Sequence, residues 1–326
     1  MNNLHLAHAH WLGKEVEQEP NRKGFGKGLL EAGKHNKNVV AACADLTEST
    51  QMHLFRDEFP DRFIEIGVAE QNLVTVASGL AAQGKIPFVS SYAAFSPGRN
   101  WEQIRTTICL NNQPVNIIGS HAGVSVGPDG ATHQMLEDIA LMRVLPNMSV
   151  FAPCDSVEAE KLTKLLVDYK QPAYVRLARE KLPIITTKET PFEIGKAYVY
   201  DVGNDLTIIS TGSMTYQALL AADILYKNGI EAEVIHCPTI KPFDAATFLK
   251  SVKKTKKVIS VEEHQIAGGL GGLVSEFLSE HFPVPLKRIG IRDRFGESGK
   301  PDELYKHLGL TAEHIVIAAH DLCKVK

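Results

Sequence analysis

The chain has 326 residues, of which 44% are hydrophobic and 22% charged, with a formal net charge of -3. That balance suits a soluble globular protein of about two domains and gives no basic face for nucleic acid or membrane. The longest apolar runs fall far short of the roughly 20 residues of a membrane span. Five scattered cysteines without a CxxC pair predict a reducing cytoplasm, and "MNNLHLAHAHWLGKEVEQEP" lacks the charged start and apolar core of a secretory leader.

Residues 1–20 read as an N-terminal extension. Its His5, His8 and His10 have no scaffold to set metal geometry and read as solvated. Strands are then predicted at 38–46, 63–67, 86–90, 114–120, 148–153 and 173–177. Helical patterns at 69–83, 98–111, 134–143 and 155–169 alternate with them. Near-continuous apolar strands separated by helices predict a parallel sheet covered on both faces. The stretch 178–195 breaks the rhythm at Pro183 and Pro191, with 186–194 as the linker proper. Alternation restarts with strand 205–211, helix 213–228, and strands 231–237 and 256–263. A helix opening at "GGLGGLVSEFLSEHF" and a strand at 285–291 follow. The prediction is two α/β domains in series, 21–185 and 195–326. The glycines of 268–272, near His264, lack a following Lys-Ser/Thr, so close helix–strand packing explains them better than a phosphate loop.

In open parallel sheets, ligands meet the carboxyl ends of the strands. Glu70 follows strand 63–67 and opens an apolar helix, where an ionised carboxylate is costly without a partner. Its plain alternative is a first-turn acid favoured by the helix dipole. "SYAAFSPGRNWEQIR" follows strand 86–90 and offers Tyr92 and Phe95 as stacking surfaces or as ordinary core aromatics. "HAGVSVGPDGATHQMLEDIA" follows strand 114–120 and holds His121, Asp129 and His133 in a Gly-rich loop, the kind of segment on which function concentrates.

Taken in order and spacing, "IEIGVAEQN", "PFVSSYAAFSPGRNWEQIR" and "GSHAGVSVGPDGATHQMLEDIALMR" resemble the C-terminal half of a transketolase. The resemblance runs over about residues 20–320 and includes "TIKPFD", "VEEHQIAGGLGG" and "SGKPDELYKHLGL". It implies a pyrimidine-type thiamine-diphosphate-binding parallel α/β domain, then a transketolase C-terminal-like α/β domain. It implies thiamine diphosphate, a cofactor whose carbanion chemistry the protein positions and tunes. Glu70 would hydrogen-bond the aminopyrimidine ring nitrogen and favour the imino form that takes the thiazolium proton. An apolar pocket suits that carboxylate. Tyr92 and Phe95 match the stacking positions, and His121 matches a histidine at the substrate's first hydroxyls. Asp129 matches the aspartate on a donor hydroxyl, and His133 a histidine at the phosphate end. Arg22, Ser49 and Arg179 match the phosphate-binding set, in which Arg forks hold the anion. A surface salt bridge or a cap explains each of those three equally well.

One departure is large. The family's Gly-Asp-Gly and downstream Asn, which bind the divalent metal, have no match here. The resemblance is therefore to the smaller subunit of a split, two-chain transketolase, with no metal ligand of its own. A partner carrying the diphosphate site and Mg²⁺ or Ca²⁺ is implied, in an α2β2 assembly that moves a two-carbon ketol unit between sugar phosphates. Two other enzymes compete, the β subunit of a 2-oxo acid dehydrogenase and a 1-deoxyxylulose-5-phosphate synthase. The hydroxyl-reading loop argues against the first, and His121 and the single long chain of the second argue against the other. A regulatory subunit without catalysis fits least, since every matched position keeps a competent side chain.

Overall fold

Val39–Cys43 is buried at every position, as an unbroken apolar strand in the middle of a sheet must be. It belongs to a seven-stranded sheet in the order Thr239–Lys241, Ser149–Phe151, Ala173–Arg176, Asn116–Ser120, Ile86–Tyr92, Val39–Cys43, Phe63–Glu65. The computed structural model describes residue 6 and residues 16–324, so His5, His8 and His10 lie outside the described residues. All pairs in this sheet are parallel except the first, where Thr239–Lys241 runs antiparallel to Ser149–Phe151. From Val39–Cys43 the chain moves first to one side, then to the other, so the strand order reverses beside Ile86–Tyr92. That reversal marks the crevice where ligands bind in such sheets.

The second sheet runs Leu286–Ile291, Val258–Gln265, Leu206–Ser210, Ala232–His236, Tyr198–Asp201, with only Tyr198–Asp201 antiparallel. The first sheet thus departs from the parallel expectation by one edge strand. Gln18–Pro20, in the stretch expected as an extension, pairs antiparallel with Lys181–Pro183. Thr239–Lys241 comes from the second half of the sequence but completes the first sheet.

Helices at Glu70–Ala82, Ser156–Leu165, Met214–Lys227 and Leu270–His281 stand where apolar periodicity puts them. The predicted helix 98–111 is a short α-turn, Trp101–Gln103, continued by π-type turns over Ile104–Cys109. The predicted 134–143 begins only at Asp138, because Met135 bridges to Ala122 and keeps the preceding residues in the loop. Helix Asn21–His35 falls outside the predicted elements, since its glycines weaken helix propensity. They are there for contact: a Cβ on Gly24 would meet Ser156 O at 1.8 Å.

Buried polar contacts weld the halves. His236 Nε2 meets Glu158 Oε2 at 2.8 Å, and Arg176 links Asp138 (2.9 Å) to the carbonyl of Glu263 (2.7 Å). The glycines at 268–272 let the Glu262 carboxylate accept from the Leu270 and Gly271 N–H groups, at 2.7 Å each. The open end of that helix is therefore filled by the protein's own anion. Among the described residues no helix is long and apolar enough to cross a membrane.

Candidate active site

Strand Phe63–Glu65 ends at a turn through Gly67, whose φ of +76° suits glycine. Glu65 braces that turn by accepting from the N–H groups of Asp45 (2.8 Å) and Gly67 (2.9 Å). Helix Glu70–Ala82 then starts on Glu70 itself, which is 2% exposed. Its Oε2 accepts from Arg99 Nη1 at 2.7 Å, and Asn100 Nδ2 donates to its backbone carbonyl at 2.8 Å. Beside the apolar surroundings expected for it, the carboxylate therefore has a cation. A buried carboxylate needs a partner, and Arg99 supplies it. Arg99 is itself 50% exposed, so it can yield Glu70 to a ligand and return its charge to water. Its guanidinium also lies over the Phe95 ring, 4.8 Å from the centroid.

The rings form one cluster. Tyr92 stacks on His121 with centroids 3.9 Å apart, Phe95 meets His133 edge-on at 5.4 Å, and Tyr92 and Phe95 are 6.0 Å apart. His121 is buried and takes a φ of +56°, uncommon for a residue with a Cβ. Ser120 Oγ lies 2.9 Å from its Nδ1. Burial first, then the positive charges of Arg22, Arg179 and His133, lower His121 to about 3. At neutral pH it is an uncharged imidazole that can donate or accept. Asp129 ends the short 3₁₀ helix Val124–Asp129 and is exposed.

Arg22 and Arg179 flank this cluster. Arg22 Nη1 donates to the backbone carbonyl of Ser49 (2.5 Å), and its Nε to that of Arg179 (3.2 Å). Arg179 Nη1 donates to Val126 O at 2.5 Å. Ser49 is engaged here through its carbonyl rather than its hydroxyl. Burial lowers the proton affinity of Arg22 from the ordinary guanidinium value, and the neighbouring Arg179 charge adds to this. An anion between the two would offset that repulsion.

The depressed His121 has a measurable consequence. An unfolded histidine titrates near 6.5, so between about pH 6.5 and 3 the unfolded chain binds a proton that the native state refuses. Stability therefore falls as pH drops through that window. In His121→Asn, which tolerates the same backbone conformation, the thermal midpoint should decline less from pH 7 to pH 5 than in wild type. Parallel declines would mean that His121 titrates normally.

Sequence reasoning passed over Arg99 and Asn100, although both stand in "SPGRNWEQIR". The signal was a cation close behind an aromatic pair, near a lone buried acid.

Comparison with known proteins identifies the family. The model of the transketolase pyrimidine-binding domain matches residues 18–184, and that of the transketolase C-terminal domain matches 195–315. The chain belongs to the transketolase family and corresponds to the section that split transketolases carry as a separate chain. It is 40% identical over 298 residues to a 6-deoxy-6-sulfo-D-fructose transketolase subunit of Clostridium sp. (strain MSTE9), covering 91% of this chain and 92% of that one. It is also 40% identical over 304 residues to an apulose-4-phosphate transketolase subunit of Phocaeicola vulgatus, covering 93% and 97%. Among solved structures, a split-gene transketolase described as an inactive β4 tetramer superimposes with a TM-score of 0.88 at 42% identity, over 94% of this chain and 99% of that one. The Campylobacter jejuni transketolase shares the fold, with a TM-score of 0.81 at 24% identity over 97% of this chain and 48% of that one.

Proposed function

We propose that this chain is the smaller subunit of a thiamine diphosphate-dependent transketolase that moves a two-carbon ketol unit between anionic sugars. The observation that carries the reading is the buried Glu70 carboxylate joined through Arg99 to the Phe95 ring, with Tyr92, His121 and His133 clustered with that ring and Arg22 and Arg179 close enough to act on His121. A buried acid linked through one arginine to an aromatic ring fits a heteroaromatic base with a weakly basic ring nitrogen. Glu70 would bind the aminopyrimidine nitrogen, and Phe95, with Tyr92, would stack on that ring. When bound, the cofactor supplies the carbanion chemistry. The protein's own residues do the rest. Glu70 would share a proton with that ring nitrogen through its carboxyl, in place of its bond to Arg99. His121, neutral and buried, hydrogen-bonds the first hydroxyls of a ketose, and Asp129 takes a further donor hydroxyl. Arg22 and Arg179, with Ser49 and His133, draw the anionic end of the sugar.

Nothing in the sequence matches the Gly-Asp-Gly and Asn set for the diphosphate and its Mg²⁺ or Ca²⁺. Those come from a partner subunit, most simply in a twofold-symmetric α2β2 assembly. The inactive β4 tetramer of the split relative supports the need for that partner. The anionic head is phosphate or, as the sulfosugar relative's name suggests, a sulfonate; an Arg fork accepts either.

The test is turnover by the reconstituted pair with thiamine diphosphate and Mg²⁺. A ketose phosphate and an aldose phosphate should exchange a two-carbon unit, and pyruvate should be inert. Efficient use of pyruvate would move the chain to a 2-oxo acid dehydrogenase or a deoxyxylulose phosphate synthase.

A further inference from the structure

The second domain supplies none of the residues assigned so far, yet it grips the loop that carries His121, Asp129 and His133. Strand Val258–Gln265 brings Glu263, buried, to the start of that loop. Glu263 Oε1 accepts from the Ser125 N–H at 2.8 Å, and Oε2 accepts from Ser213 Oγ at 2.7 Å. The Tyr305 phenol lies against the same carboxylate; burial, then the Glu263 charge, pushes it well above its usual range. A Cβ on Gly123 would come within 2.3 Å of Glu263 Oε1, and Gly123 has a φ of +88°. Only glycine lets the carboxylate come this close.

A second clasp lies at the far end of the loop. Gln134 Nε2 reaches the carbonyls of Gly127 (3.1 Å) and Val124 (3.3 Å) within the loop, and of Glu297 (3.0 Å) in the second domain. Gly130 faces Ser298, whose Oγ would lie 2.6 Å from a Cβ there. A Gly-rich loop has many conformations to choose among. These contacts select one, and Glu263 is the buried carboxylate among them. A fully buried carboxylate without its donors is strongly disfavoured, so the Ser125 N–H and the Glu263 charge hold each other in place.

We propose that Glu263 is a positioning residue for substrate recognition. Acting through Ser125, it fixes the backbone of residues 121–134 and with it the spacing of His121, Asp129 and His133, so that the second domain sets how well the first reads a hydroxylated substrate. This rests on the transketolase reading above. Positioning matters because small misplacements of binding groups cost large factors in rate.

Two measurements on Glu263→Gln test it. The amide keeps the size of the side chain but loses one acceptor and the charge. In the isolated chain, hydrogen exchange at the backbone amides of 124–134 should quicken about tenfold or more, with the first sheet unchanged. In the pair reconstituted with its diphosphate-binding partner, the Michaelis constant for xylulose 5-phosphate should rise about tenfold to a hundredfold, the usual effect of a lost charged hydrogen bond. Affinity for thiamine diphosphate should stay within about twofold. A merely structural role would lower the melting point without separating those two affinities. Unchanged loop exchange would overturn the proposal whether or not the pair is active, as would an unchanged Michaelis constant or a matching loss of cofactor affinity. If the wild-type pair turned over neither a ketose phosphate nor a sulfonated ketose, the transketolase reading would fall, and the exchange result would still decide whether Glu263 fixes the loop.

Discussion

Glu70→Gln should fold normally, associate normally and turn over about 10²–10⁴-fold more slowly than wild type, the usual worth of general acid–base help. The amide is nearly isosteric, so helix Glu70–Ala82 keeps its start and Asn100 keeps its bond to the residue 70 carbonyl. What is lost is a carboxyl that can carry or release a proton. The variant also leaves Arg99 without an anionic partner, but the amide oxygen can still accept and a half-exposed guanidinium regains water at little cost, so the stability change should be small. Steady-state rates with the partner present, next to thermal melts, separate the two effects. Wild-type turnover in Glu70→Gln would sink the role assigned to the acid.

The second large effect concerns the lone chain, which should show no turnover and no cofactor-dependent stabilisation. In the proposed role Glu70 and Phe95 would contact only one end of a ligand whose diphosphate carries several negative charges. A ligand that binds only the native assembly stabilises by mass action, about 2.7 kcal/mol at a hundredfold excess over its dissociation constant. Melts with thiamine diphosphate and Mg²⁺ should therefore shift for the mixture with the partner and stay fixed for this chain alone. A clear shift together with turnover in the isolated chain would show that it holds a whole cofactor site.

The strands that frame the site were legible because they are short, apolar and evenly spaced. Every candidate from Glu70 to Arg179 follows a strand that the sequence marks by composition alone. Three things were hidden. Helix Asn21–His35 carries Gly24, Gly26, Gly28 and Gly33, a composition that local propensity penalises and tertiary packing rewards. The Glu70–Arg99 pair spans 29 residues and the Ser125–Glu263 bond spans 138; no local period encodes such contacts. Strand Thr239–Lys241 is too short to announce itself, and its partner lies in the other half of the chain.

That strand has a consequence for how the protein is made. The first sheet ends at Ser149–Phe151 until Thr239–Lys241 comes to pair with it, and Lys241 Nζ then bonds the carbonyls of Arg143 and Leu145. On the ribosome, which adds about 5–20 residues per second, the nascent N-terminal half must wait several seconds with one flank unpaired. An open strand edge of this kind invites pairing with neighbouring chains. Nicking the polypeptide between 186 and 194 after folding should leave the fragments together, whereas producing residues 1–190 alone should yield an aggregating product. The two halves are consecutive in the gene but interdependent in assembly.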